Sequence, residues 1–315
     1  MSAVLATVDP ATYDRRRYLG GSDIAAVLGI SPWTTPLQCW ERKTAPHPPA
    51  DVDSKAKRRG RRWEGVVAEM LTEELRGKGH AVEIVASNKR YTDLDMPYLA
   101  SEIDFEVRLD GSDEITNVEL KTVHPFKAAE WGEAGTDEAP LWYVAQVMHG
   151  LGVTRRQHGM VAALFGADDL KAYPVERDDV SIAAMRARCE VFWQLVELGI
   201  QPDPTTLADL DRLYRGDEAV PPVEADGALA QQVMQLRALK AQSKAVEAEI
   251  ERVEFEIKHA MGDAFELQIP GERKPAITWK PRKWSRFDTS AFKTAHPDLH
   301  LQFTSRGESR VFLTK

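Results

Sequence analysis

The sequence predicts an α/β (α+β) chain that ends in a long helix and a small β unit. Three observations carry that prediction. Ile103, Phe105, Val107 and Leu109 alternate with Asp104, Glu106 and Arg108, the period of a half-buried strand, and Asp110-Gly111 then signals a turn. Trp63, Val66, Val67, Met70, Leu71 and Leu75 recur at helical spacing. From Ala228 to about Met261 the chain has few helix breakers.

Taken in chain order, Ser22 reads as an N-cap before Ile24, Ala25, Val27 and Leu28. Glu64 falls in the first turn of the helix that holds Trp63 to Leu75. After the strand ending at Leu109, a second short run, Ile115, Val118 and Leu120, completes a hairpin. Gln146 sits in a helical stretch with Tyr143, Val144, Val147, Met148 and Leu151. Residues 165–175 read as an edge hairpin. Ile182 to Leu198 reads as one amphipathic helix with Met185, Cys189, Phe192, Trp193 and Val196 inward, stopped by Gln201-Pro-Asp-Pro. Val220-Pro-Pro-Val is a linker. The pairs Leu236/Leu239, Ala245/Val246, Ile250/Val253 and Ile257/Ala260 then approximate heptads, in a helix about 50 Å long at 1.5 Å per residue. Beyond Gly262, residues 276–280 and 309–314 read as strands.

The hairpin is where chemistry enters. Glu119 and Lys121 share a face because side chains alternate along a strand, and Asp104 can face them from the neighbouring strand. Two carboxylates with adjacent waters suit a hard cation such as Mg²⁺, which takes phosphate oxygens as further ligands. Such a metal stabilises charge developing on a phosphate and lowers the pKa of a bound water, while Lys121 orients that water or neutralises the same charge. The reaction such a site would be expected to carry out is phosphodiester hydrolysis. About one Glu-x-Lys is expected by chance in a chain of this length, so a strand with solvated charges is the competing reading. Glu64 has its own alternative, since an acid in a first turn complements the helix dipole. Gln146 can equally be an amide at the edge of the core.

Composition narrows the classes. The 315 residues are 43% hydrophobic, normal for a folded chain with room for one large domain and an appendage. No apolar run approaches the roughly 20 residues of a membrane span, and the start, with Asp9, Pro10 and Asp14, lacks the apolar region of a signal peptide; a cytoplasmic protein is expected. Cys39 and Cys189 are expected as reduced core residues. His296 and His300 have helical spacing, but Pro297 and the lack of a further ligand argue against a metal there. There is no Gly-rich loop ending in Lys-Ser or Lys-Thr, hence no ATP-driven motor. The net charge of −8 matters less for DNA than its distribution, because phosphate contacts are local. One basic cluster, Lys55, Lys57, Arg58, Arg59, Arg61 and Arg62, directly precedes Glu64, and another runs from Lys280 to Arg286 around Trp284. Trp279, Trp284 and Phe287 among those cations either grip DNA or form the core of the small unit.

Resemblance adds a family. The segment Arg15-Arg-Arg-Tyr-Leu-Gly-Gly-Ser22-Asp23-Ile-Ala-Ala-Val-Leu-Gly-Ile-Ser-Pro-Trp resembles the opening of the YqaJ-like viral recombinase family, relatives of phage lambda exonuclease. Residues 60–64, Asp104, residues 119–122 and Pro140-Leu-Trp-Tyr143-Val-Ala-Gln146-Val follow in the family's order, over about Tyr13 to Pro202. The resemblance implies a restriction-endonuclease-like PD-(D/E)xK core, a mixed central sheet flanked by helices. It also implies a toroidal homotrimer digesting linear double-stranded DNA from its 5′ ends, with Mg²⁺, or Mn²⁺ in its place. Asp104, Glu119, the Leu120 carbonyl and Glu64 would hold metal, Lys121 would be the catalytic lysine, and Gln146 would lie beside them. Arg15 and Ser22 would hold the 5′ phosphate. Apart from the resemblance, the charge density at Arg58, Arg59, Arg61 and Arg62 beside that site is expected to guide the DNA backbone inward, with a solvated helix start as the competing reading. The spacing from Asp104 to Glu119 is longer than in lambda exonuclease, and residues 109–114 absorb the difference.

The expected layout is a nuclease domain at 1–205, a linker at 206–227, a long helix and candidate coiled coil at 228–262, and a small β-rich unit at 263–315. The expected role is a phage or prophage exonuclease in the bacterial cytoplasm that leaves 3′ overhangs for a single-strand annealing partner. A restriction-like or phage-type endonuclease of the same fold is the first alternative, and a non-catalytic DNA-end-binding protein the second.

Overall fold

The computed structural model describes residues 14–47, 55–217, 219–305, 307 and 310–314. It divides into two units, Met1–Leu213 and Tyr214–Lys315. Asp9, Pro10 and Tyr13, the side chain of Lys57, and Ser309 lie outside the described residues.

The first unit is built on a five-stranded sheet in the order β1 (Val82–Thr92), β2 (Ala100–Leu109), β3 (Thr116–Val123), β4 (His158–Phe165) and β5 (Asp169–Glu176). The pairings are antiparallel except β3 with β4, which is parallel. That parallel step needs a crossover, and α4 (Leu141–Thr154) supplies it. Helix α3 (Lys55–Gly77) covers one face: its Val67, Leu71 and Leu75 pack on Phe105, Val107, Val118, Leu120, Ala162 and Leu164. On the other face Val147 and Leu151 of α4 meet Val161, Ala163, Phe165, Tyr173 and Val175. Strand β4 is therefore apolar at consecutive positions, as a strand buried on both faces must be. The mixed sheet flanked by helices is the architecture expected, and the 165–175 hairpin joins β4 to the edge strand β5.

A third core cluster gathers α1 (Gly21–Val27), α2 (Pro36–Thr44) and α5 (Asp179–Leu198), with Leu19, Ile24, Cys39, Cys189, Phe192 and Trp193 inside. Both cysteines are free and buried, and burial first, with neighbouring carboxylate or thiol charge behind it, pushes the Cys39 thiol up to about 11 and that of Cys189 to about 12. Beneath α1 lies a buried ion pair. Lys43 Nζ donates to the Asp23 carboxylate at 2.7 Å, to the Arg15 carbonyl at 2.8 Å and to the Tyr18 carbonyl at 2.6 Å.

Three sequence expectations are corrected here. Helix α3 starts at Lys55, so Glu64 lies well inside it rather than in its first turn, and the basic cluster is itself helical. Lys, Arg and Ala are strong helix formers, and a lone Gly60 is tolerated. Ser22 is not the N-cap of α1; Gly20 is, because the Asp23 carboxylate accepts the Gly20 N–H at 3.1 Å. The segment 206–227 is not wholly linker. It opens with α6 (Leu207–Leu213) in the first unit, where buried Asp209 accepts from Thr35 Oγ1 at 2.7 Å and from Thr205 N–H at 3.0 Å.

The second unit contains α7 (Gly227–Met261), 35 residues, capped by Asp226, which accepts the Leu229 N–H, and ended at Gly262 with φ 55°. The small unit after it is less β-rich than expected. Its strands β6 (Glu266–Leu267) and β7 (Ile277–Thr278) have two residues each, and α8 (Thr289–Ala295) and α9 (Pro297–Gln302) follow. Asp288 caps α8, and Pro297 takes the first turn of α9, where its missing N–H costs nothing. Residues 310–314 form no strand. Trp279, Trp284 and Phe287 are exposed rather than a core. Among the described residues no helix is long and apolar enough to cross a membrane.

Candidate active site

The hairpin of β2 and β3 sets the geometry. Asp110 and Gly111 both take positive φ, 55° and 71°, and the Ser112 N–H returns to the Leu109 carbonyl at 3.0 Å. Glycine and aspartate tolerate that region, which is why this dipeptide can turn the chain so tightly. Residues 110–115 take up the long spacing between the two carboxylates. The ladder runs Val107 to Thr116, Glu106 to Asn117 and Phe105 to Val118, so the same register places Asp104 opposite Glu119.

At that point the strands part, and the Asp104 carboxylate accepts the Leu120 N–H at 2.9 Å. In an extended strand the N–H and C=O of one residue open to the same side, so the Leu120 carbonyl also opens toward Asp104. Lys121 makes an ion pair with Glu119. From α4, Gln146 Nε2 donates to the same Glu119 carboxylate at 2.6 Å. Gly21 lets α1 approach α4 here, since a Cβ on it would stand 2.9 Å from Gln146 Cγ.

Burial, and next the Asp104 charge, push the Glu119 carboxyl up to about 8, while Lys121 opposes the shift. Burial works against the Lys121 ammonium, yet Glu119 and Asp104 outweigh it and raise its pKa. Glu64 is raised by burial first and by Asp104 second. Among the described residues no three Asp, Glu, His or Cys side chains form a ready-made metal cluster. The donors still fit a hard divalent cation: two carboxylates and a carbonyl, all oxygen, converge where crowded negative charge is held back by one lysine.

A cavity of about 490 Å³ brings the expected residues together. Its wall includes Arg15, Ser22, Arg61, Glu64, Asp104, Glu119, Leu120, Lys121 and Gln146. Because Asp23 satisfies the cap, Ser22 Oγ is left to accept from Arg15 Nη2, at 2.9 Å. Arg58, Arg59 and Arg62 are exposed on α3, outside that wall. Sequence reasoning assigns no role to two wall residues, Tyr18, though it lies within the opening segment 15–33, and Arg90, whose guanidinium lies 3.8 Å over the Tyr18 ring. They come from segments about 70 residues apart, and only the fold stacks them.

Residues 12–157 match the family described as YqaJ-like viral recombinase domain. Over those residues the chain is similar to that family. A curated relative, the uncharacterized protein YqaJ of Bacillus subtilis (strain 168), is 27% identical over 307 residues, covering 95% of this chain and 91% of its own. Among solved structures, an alkaline exonuclease from Laribacter hongkongensis is similar at TM-score 0.46 and 16% identity, over 59% of this chain and 91% of its own. A phage-related exonuclease from Haemophilus somnus 129PT is similar at TM-score 0.41 and 13% identity, over 58% and 95%. The matched stretch ends three residues after α4 and contains every residue of the cavity wall named above.

Proposed function

We propose that this protein is a metal-dependent exonuclease that digests linear double-stranded DNA from its 5′ ends and leaves 3′ overhangs for recombination by single-strand annealing. The observation that carries the reading is the convergence of Asp104, Glu119 and Lys121 with the Arg15–Ser22 pair on one cavity within a YqaJ-like domain. Asp104, Glu119 and the Leu120 carbonyl are the residues that would hold Mg²⁺ or Mn²⁺, with Glu64, which lines the same cavity, as a further ligand. Bound there, the cation supplies charge stabilisation for the phosphate and a more acidic water. Lys121 orients the attacking water and balances charge on the phosphate, and Gln146 fixes the Glu119 carboxylate. Arg15 and Ser22 present an N–H fork and a hydroxyl to a terminal phosphate. A ring of three copies and a single-strand annealing partner complete the proposed role; both are suggested by the family resemblance alone.

The test is digestion of matched linear and covalently closed duplexes with Mg²⁺, each strand end labelled separately. Loss of the linear duplex from its 5′ ends alone supports the proposal. Cutting of the closed circle identifies an endonuclease instead, and metal-independent binding without product identifies an end-binding protein.

Two substitutions probe the parts. Asp104→Ala is expected to lower the rate at least 100-fold at fixed Mg²⁺ and to shift the Mg²⁺ titration to higher concentration; an unchanged midpoint would remove Asp104 from the ligand set. Arg15→Ala is expected to reduce preference for 5′-phosphorylated over 5′-hydroxyl ends by about tenfold, the loss of one charge-assisted contact. Equal preference before and after discards the phosphate pocket.

A further inference from the structure

An aromatic strip leads out of the cavity from the catalytic lysine. Lys121 Nζ lies 5.3 Å from the Tyr143 ring centre. That ring meets Trp33 at 6.0 Å with planes tilted by 42°, and Trp33 also packs edge-on against Trp142 at 5.8 Å. Trp33 itself is 65% exposed. Its backbone is held in place, since Ser31 Oγ accepts the N–H groups of Trp33 and Thr34, each at 3.2 Å. An indole fixed from behind and open in front is unusual, because so large an apolar ring normally goes inside.

We propose that Trp33, supported by Trp142 and Tyr143, is a stacking platform for a nucleobase of the DNA end whose phosphates occupy the cavity. The proposal rests on the nuclease reading above and assigns the neighbouring subsite. The chemistry divides along the strip. Arg15, Arg61 and Lys121 on the cavity wall suit phosphate oxygens, whereas beyond Lys121 the rings of Tyr143, Trp33 and Trp142 present flat uncharged faces. A nucleotide presents that same sequence of groups, a phosphate and then a π-face, and every base has such a face, so the platform accepts any sequence. Its reach is short. With one phosphate about every 3.4 Å along a strand, Trp33 contacts a base within about three nucleotides of the cleaved bond. A terminal base already has one face free to lie on the ring, whereas an internal base must first leave its own stack.

The experiment uses full-length protein carrying Lys121→Ala, so that DNA is not consumed, with Mg²⁺ and fluorescein-labelled duplexes. The four terminal nucleotides are made abasic one at a time, and affinity is read by anisotropy. One abasic position is expected to weaken binding about tenfold, the loss of one base–aromatic stack. Adding Trp33→Ala should weaken the intact duplex by a similar factor and reduce the abasic penalty to less than twofold, because the two changes remove the same contact. Trp33→Phe should restore most of the affinity, which separates stacking from misfolding. An intact duplex bound equally well by the Trp33→Ala protein, or an abasic penalty that persists in full without Trp33, overturns the platform. If the parent protein cleaves DNA and either result appears, only the platform falls. If it neither cleaves nor binds DNA, the nuclease reading falls and the platform with it.

Discussion

Lys121→Ala is expected to reduce hydrolysis by 10²–10³-fold while DNA affinity stays within about threefold and the Mg²⁺ midpoint shifts little. The ammonium touches Glu119, not the Asp104 carboxylate or the Leu120 carbonyl, so the oxygens that would hold a cation survive its removal. Gln146 continues to hold the Glu119 carboxylate at 2.6 Å. What disappears, on the proposed function, is a charge that would face the reacting phosphate, whose value is greatest in the transition state. The check is a single-turnover rate measured beside equilibrium binding on the same labelled duplex. Turnover within threefold of the unmodified protein would remove Lys121 from the chemistry, and a parallel loss of binding would make it a substrate-holding residue.

Lys43→Met is expected to destabilise the first unit by about 3–5 kcal/mol at neutral pH, the penalty of stranding a buried charge. Asp23 is almost fully enclosed, and once Lys43 is gone it keeps the Gly20 N–H, a weak contact to the Cys39 thiol, the half-exposed Arg42 guanidinium at 3.4 Å and the charge of Arg15. The carbonyls of Arg15 and Tyr18 lose their donor as well. Burial disfavours the Asp23 carboxylate, but the Lys43 charge and hydrogen bond prevail and hold its pKa below the ordinary value of 3.8. A lowered folded pKa stabilises above the unfolded pKa and is lost as pH falls through the folded one. In the Met variant the shift is expected to turn upward, because burial then outweighs the cations that remain and favours the protonated carboxyl. The gap between the two proteins should therefore narrow from pH 7 to about 4. Urea titrations followed by tryptophan fluorescence measure it, and a gap independent of pH would show that Lys43 acts by packing alone. The same lysine anchors residues 15–18, so Arg15 depends on it for position.

Much of this was legible because local chemistry dictates it. Alternation around Asp104, the Asp110-Gly111 turn and the Glu119-Leu-Lys121 run define a hairpin and one shared face, whatever the remainder of the chain does. The 182–198 helix and the long helix α7 follow from periodicity in the same way. Cap positions were less legible: Ser22 is the commoner cap residue, but Asp23 satisfies the Gly20 N–H from three residues away, and the choice depends on where Lys43 lies. The strands expected at 309–314 and the β-rich tail illustrate the limit of short apolar runs, which have no long-range partner to fix their state.

By itself the sequence determined the hairpin, its three chemical residues and the family to which residues 12–157 are matched, because side-chain alternation and turn preference act over a few residues. Only the tertiary structure decided that Arg15 meets Ser22, that Gln146 reaches Glu119, that Arg90 stacks on Tyr18 and that Trp33 stands one ring from Tyr143. These contacts join segments separated by up to about a hundred residues, and their geometry exists only once two helical layers have closed on the sheet and excluded water from between them.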